Sequence, residues 1–304
     1  MKKILITGAN GLLGQKLVAL LSAQENCKLL ATSKGDARFT ITSNVRYINL
    51  DITNKVDCSS VVNNFLPDAI IHAAAMNQVD ACEDERELCD SINIEGTRNL
   101  ILAIGNRKTH FLHISPDFIY KGDEGECFED SRVNPLSYYG ASKWKSEQLL
   151  DQVTFPYSIL RTVFVYGVLE DLSPSNIVLW PKGSLEKGQQ INVVDDQYRC
   201  PTLVEDLALA CWVVFEKNAT GVFHVSGKEF LSILDLVYMI ADFWNLDREL
   251  INPIKTSSLD QARTPPAKKN VNINKAIKQF NYQPKSFHDG LTLVANQLQN
   301  LTPQ

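Results

Sequence analysis

The chain opens KKILITGANGLLGQKLVALLSA over residues 2–23: an apolar run, glycines at 8, 11 and 14, and then leucines at 13, 17, 20 and 21 on one helical face. A strand that stops at a glycine and passes straight into an amphipathic helix needs backbone that turns tightly. The three glycines divide the work into a tight turn, close backbone approach to a pyrophosphate, and close packing of helix on strand, with the helix N-terminus facing the anion. The turn TGANGLLG, with Gly8, Asn10, Gly11, Leu12, Leu13 and Gly14, is therefore a candidate phosphate cradle for a dinucleotide.

The next 140 or so residues repeat this strand-and-helix rhythm. KLLATS, VRYINLD, DAIIHAAA, FLHIS and YSILRTVFVYG read as strands, with helical segments around VDCSSVVNNF, SINIEGTRNLILAIGN and YYGASKWKSEQLL between them. Such alternation predicts an α/β, Rossmann-type doubly wound parallel sheet covered on both faces, with ligand at the carboxyl ends of the strands. After about Gly167 the loops become rich in Pro, Ser and Asn. The expected division is a dinucleotide-binding domain over 1–167 and a smaller, mainly substrate-binding lobe over 168–304, with segments near 190–215 and 221–227 returning to the sheet.

Composition excludes several function classes. At 304 residues and a formal net charge of −5, with both signs mixed throughout, the chain has no basic stripe of the kind nucleic acid or an anionic membrane requires. The apolar start is interrupted by Gly8, Asn10, Gly11, Gly14, Gln15 and Lys16, which leaves no usable secretory h-region. No apolar stretch approaches the roughly 18 residues of a spanning helix. Seven scattered cysteines without CxxC spacing argue against a disulfide framework and against a metal site, and fit a reducing cytoplasm.

If the cofactor were NAD, an acidic residue would end the second strand to meet the ribose hydroxyls. The chain has ATSKGDAR there, and Ser33, Lys34 and Arg38 can hold a 2′-phosphate, so NADP(H) is favoured over NAD(H). Lys34 and Arg38 can also be plain solvated charges, and Asp36 can serve NAD. Asp51 and Ile52 end the third strand where an adenine can be gripped, and Ala73, Ala74 and Ala75 end the fourth with little side chain to obstruct a cofactor.

Asn134 and Pro135 suit a helix cap and first turn, and Tyr139 and Lys143, four apart, share a face of that helix. An ammonium beside a phenol is expected to lower the phenol's pKa toward neutrality and make Tyr139 a usable proton donor.

TGANGLLG, HAAA and YYGASK in this order resemble the extended short-chain dehydrogenase/reductase superfamily. VDACE, SPDFIYKG, NPLSYYGASK, LRTVFVYG, DDQYRCPTLVEDLA, GVFHVSG and ARTPP resemble, more narrowly, the dTDP-4-dehydrorhamnose reductase family over nearly the whole chain. That resemblance implies NAD(P)H-dependent reduction of the 4-keto group of a nucleotide-linked 6-deoxysugar. It makes Tyr139 the acid and Lys143 both its tuner and a ligand of the nicotinamide ribose. It adds Asn93 to the cofactor contacts and Val79, Asp117, Phe164, Gln197 and Arg263 to the sugar contacts, and allows a homodimer.

One member of the implied triad is missing. The family's Ser or Thr hydroxyl falls at Pro116, and proline has neither a hydroxyl nor an N–H to donate. Ser115 is adjacent, although strand alternation aims it at the other face unless the loop has already turned. Two other readings stand beside the reductase: a non-catalytic NADP-binding regulatory protein on the same scaffold, which a regulatory subunit of methionine adenosyltransferase also resembles, and a nucleotide-sugar epimerase or dehydratase.

Overall fold

In the computed structural model, which describes residues 1–122, 125–171, 176–258 and 270–301, seven strands form one sheet. They are β1 (Lys2–Thr7), β2 (Cys27–Ser33), β3 (Val45–Asn49), β4 (Ala69–His72), β5 (His110–Pro116), β6 (Tyr157–Thr162) and β7 (Gly221–His224). Their order is β7-β6-β5-β4-β1-β2-β3 and every pairing is parallel. The flanking helices used below are α1 (Leu12–Ser22), α2 (Lys55–Phe65), α3 (Gly96–Ile104), α4 (Tyr138–Gln148) and α5 (Val204–Glu216).

Burial on both faces explains the near-continuous apolar strands. Within β1, Ile4 and Ile6 pack with Leu13, Leu17 and Leu21 of α1 and with Leu207, Cys211 and Val214 of α5. Leu5 points the other way, toward Cys58 and Val62 of α2 and Leu100 and Ile104 of α3. This period of two is what a strand sandwiched between helix layers requires.

Residues 221–224 close one edge of the sheet as β7, pairing with β6. The strand Ile191–Val194 pairs instead with Ile251–Ile254 in a separate two-stranded sheet. These residues, with the helix Ile233–Phe243, build a second core around Val193, Leu236, Val237 and Ile240. No helix among the described residues is long and apolar enough to cross a membrane.

β1 has β2 on one side and β4 on the other, so strand order reverses there and a crevice opens beyond the carboxyl ends of β1 and β4. The glycine turn sits in that crevice.

Candidate active site

Gly8 leaves β1 at φ +75°, and a Cβ there would lie 2.6 Å from the backbone nitrogen of Ala74. A Cβ on Gly14 would lie 2.2 Å from the Gly8 carbonyl oxygen. Gly11 is the N-cap of α1 and provides no side-chain cap, which leaves the N–H groups of the first turn for a ligand. These are features that a pyrophosphate needs, so the residues present fit a nicotinamide dinucleotide. Gly14→Ala is expected to cost about 1–3 kcal/mol of stability through overpacking and to weaken dinucleotide binding, as read by chemical denaturation and calorimetry.

The other expected cofactor residues divide by what they touch. Asn10 acts as a strut: its amide donates to the Asp36 carbonyl at 2.8 Å and its Oδ1 accepts from the Arg38 N–H at 2.9 Å, fixing the loop after β2 against the cradle. Leu13 faces the core and Leu12 packs at its rim, so these two offer a ligand backbone more than side chain. Lys34, with its side chain 82% exposed, pairs with Asp51 at 3.0 Å, and Arg38 lies 3.6 Å from Asp171. Ser33 ends β2 and its carbonyl accepts from Tyr47 and from the Leu50 N–H. Asp51 also accepts from the Thr53 hydroxyl and N–H, bonds that, with Lys34 adding to them, hold its carboxyl below the ordinary carboxylate range. Ile52 is buried against Gly96, where a Cβ would collide with it. Ala73 and Ala74 pack toward opposite faces of the sheet as they pass Gly8, and Ala75 follows them, half-buried.

Asn93 lies in a π turn, Ser91–Glu95, inside the helical run from Arg86 to Ile104. Its Oδ1 accepts from the Met76 N–H at 2.9 Å, while Nδ2 donates to the Met76 carbonyl and to the Ser142 hydroxyl. It thereby locks the chain after β4 to α4, and its side chain is committed to protein partners.

α4 begins at Tyr138, not at the expected Asn134–Pro135 cap: Ser137 is the N-cap and accepts from the Gly140 N–H at 3.1 Å. The Asn134 N–H is already committed to the Ile119 carbonyl, so the chain there still belongs to the loop. A Cβ on Gly140 would lie 2.2 Å from the Phe118 carbonyl oxygen, and this close approach lets Phe118 meet the Tyr139 ring edge-to-face at 5.6 Å. Glu147 anchors the far end of the helix through a buried ion pair with Arg161 at 2.6 Å.

Tyr139 and Lys143 are both buried on this helix. The expected lowering of the phenol's pKa is not what the protein alone produces. Removal of the ring from water, and then the Asp117 carboxylate, push Tyr139 well above its usual value. The Lys143 ammonium is instead 3.2 Å from His113 Nε2, and burial brings it down to about 8 against the opposing pull of Glu147. Tyr139 therefore stays protonated across the neutral range.

Pro116 ends β5 opposite Thr162, and Ser115 stands opposite Arg161. Ser115 is 1% exposed, and its hydroxyl has no hydrogen-bond partner among the described residues.

Beyond this strand end lies a cleft of about 190 Å³ lined by Asp117, Phe118, Phe164, Val194, Gln197, Arg199 and Ile233. Three expected sugar contacts, Asp117, Phe164 and Gln197, thus line one cleft. Phe164 adopts φ +45°, a strained value for a bulky residue of the kind that clusters at functional sites. Val79 packs instead beside Cys82, Cys89 and Tyr139, and Arg263 lies outside the described residues.

Two residues of the site are not foreseen from the sequence. Arg199 is buried in the cleft wall, where Asp117 offsets the desolvation that lowers its pKa. His113 is hidden inside an apolar strand, where a titratable side chain among Phe111, Leu112 and Ile114 is itself the clue.

A family model described as the RmlD substrate binding domain matches residues 1–300. A dTDP-4-dehydrorhamnose reductase from Aggregatibacter actinomycetemcomitans is 29% identical over 96% of this chain and 97% of its own length. The methionine adenosyltransferase 2 subunit beta of Bos taurus is 28% identical over 87% of this chain and 78% of its own. A solved structure of a Bacillus anthracis dTDP-4-dehydrorhamnose reductase in complex with NADP superposes with a TM-score of 0.85 at 29% identity, covering 98% of this chain and 100% of that one.

Proposed function

The chain belongs to the RmlD substrate binding domain family, and from that footing we propose that it is a nicotinamide-dependent reductase of a nucleotide-linked keto-sugar. The finer reading is reduction of the 4-keto group of a 6-deoxysugar with NADP(H) preferred. The observation that carries it is the buried pair Tyr139 and Lys143, four apart on one helix, with Phe118 of the cleft that also holds Asp117, Phe164 and Gln197 packed against the Tyr139 ring.

When bound, the reduced nicotinamide supplies the hydride. Gly8, Gly11 and Gly14 let backbone approach the pyrophosphate, and the first turn of α1 meets its charge. Lys34, Ser33 and Arg38 at the end of β2 support the preference for a 2′-phosphate. Phe118, Phe164, Val194 and Ile233 offer the sugar an apolar wall that excludes water, while Gln197 and Asp117 offer it hydrogen bonds. Tyr139 donates its hydroxyl proton to the carbonyl oxygen as that oxygen gains charge. An alkoxide is a far stronger base than a phenolate, so a phenol with a raised pKa still gives up its proton there. We assign residues 1–167 with β7 to the dinucleotide and most of 168–304 to the sugar.

Ser115 stands in for the hydroxyl absent at Pro116. Ser115→Ala is expected to lower kcat about 10²-fold, the usual cost of one donor at a developing oxyanion. Pro116→Thr is expected to raise it. A panel of nucleotide keto-sugars, followed by NADPH and NADH oxidation, tests the function: turnover with one of them supports it. Tight dinucleotide binding without turnover in both the native protein and Pro116→Thr would favour the second reading, a regulatory protein, for which Pro116 is the motivating observation.

A further inference from the structure

A charged lysine only donates, so the polar atom nearest its nitrogen has to offer a lone pair. For Lys143 that atom is His113 Nε2 on β5, 3.2 Å away, with both side chains buried. If Nε2 accepts, the ring proton sits on Nδ1, and Nδ1 is buried with no hydrogen-bond partner among the described residues. The strand thus keeps an orphaned N–H at the one tautomer that can hold the ammonium.

The surroundings brace this arrangement. Ser146 Oγ lies 3.0 Å from the same Nε2 and 2.7 Å from the Lys143 carbonyl, and with Nε2 as acceptor its single hydrogen is shared between these two lone pairs. His72 packs beside the ring at 5.4 Å between centroids, its two nitrogens taken by Thr7 and Thr97. Burial, and then the Lys143 charge, hold His113 well below its usual pKa and bring His72 to about 3, so both rings remain neutral at working pH. The other titratable groups acting on the ammonium are Glu147 on its own helix and Cys89 on the helix Arg86–Asp90.

From this contact we propose that His113 is a positioning residue for the reduction, its neutral Nε2 fixing the Lys143 amine on the face it shares with Tyr139 and keeping it charged. The inference rests on the reading of Lys143 as a working group of the reductase. A leucine would fill the same strand position without the orphaned N–H, so packing alone does not account for a histidine.

The test is an NMR titration of the lysine ζ-nitrogens in ¹⁵N-lysine-labelled protein, with the Lys143 resonance assigned by its loss in Lys143→Met. In the native protein Lys143 is expected to titrate near 8. His113→Leu removes an acceptor that favours the charged form, so the titration moves down by about one pH unit or more. The alkaline limb of the kcat/KM profile moves with it, and kcat/KM at pH 8 falls roughly fivefold. His113→Gln, whose carbonyl can occupy the place of Nε2, restores both. An unchanged ζ titration in a folded His113→Leu protein overturns the inference, whether or not its thermal stability changes. If the native protein reduces no keto-sugar, the reductase reading fails by itself and the ζ titration still decides what His113 does to Lys143.

Discussion

Tyr139→Phe is expected to lower turnover by about 10²- to 10⁴-fold, the contribution of a positioned general acid, while leaving dinucleotide affinity close to native. The substitution removes one oxygen and keeps the ring that packs edge-to-face on Phe118, so the fold around α4 has no reason to change. The loss should appear in kcat and kcat/KM together, because the proton is needed only as charge develops on the sugar oxygen. An intact rate in the phenylalanine variant would remove Tyr139 from the chemistry and point to Asp117 or a water as the donor. Calorimetric titration with NADP on the same sample separates this outcome from unfolding.

The largest stability effect should come from Arg161, on the β6 side of the same helix. Its guanidinium holds Glu147 at 2.6 Å, the Tyr120 hydroxyl at 2.6 Å and the Glu129 carbonyl at 2.8 Å, with both charged side chains almost fully buried. Tyr120 continues the network to His224 of β7 at 2.8 Å. Arg161→Met strands a buried carboxylate and is expected to destabilise the protein by about 3–5 kcal/mol, read as a shift of the urea midpoint. Replacing both partners, Arg161→Met with Glu147→Leu, should recover most of that loss, since an apolar pair needs no compensating charge. If the double variant is as unstable as the single one, the network matters through Tyr120 and Glu129 more than through the ion pair.

The sheet is legible in the sequence because its information is local. A strand, a glycine turn and an amphipathic helix in succession determine a βα unit, and repetition of the unit forces a parallel sheet with a crevice at the reversal beside β1. The cradle glycines follow from the same logic, since their tasks are backbone tasks. Asn10 and Asn93 show where such reading stops: each stands in the expected segment, yet each gives its side chain to partners within the protein, a choice fixed by neighbours 17 to 49 residues away. The Tyr139–Lys143 spacing places both groups on one face correctly, while the direction of the phenol's pKa depends on burial and on Asp117, which spacing does not reveal. His113 escapes notice for the related reason that its partner, Lys143, is 30 residues away. The cap at Ser137 in place of Asn134 is a smaller case, decided by the tertiary bond from Asn134 to Ile119.

The most direct test of a keto-sugar reductase is isotope transfer. NADPH deuterated at the transferable position is incubated with the native protein and dTDP-4-dehydro-6-deoxy-L-mannose, and the sugar product is analysed by mass spectrometry and proton NMR. The expected result is one deuterium at C4 of the product, formed by the native protein and greatly reduced with Tyr139→Phe. Bound cofactor with no deuterium in that sugar or in any other nucleotide keto-sugar offered, in native protein and Pro116→Thr alike, would contradict the proposed reduction.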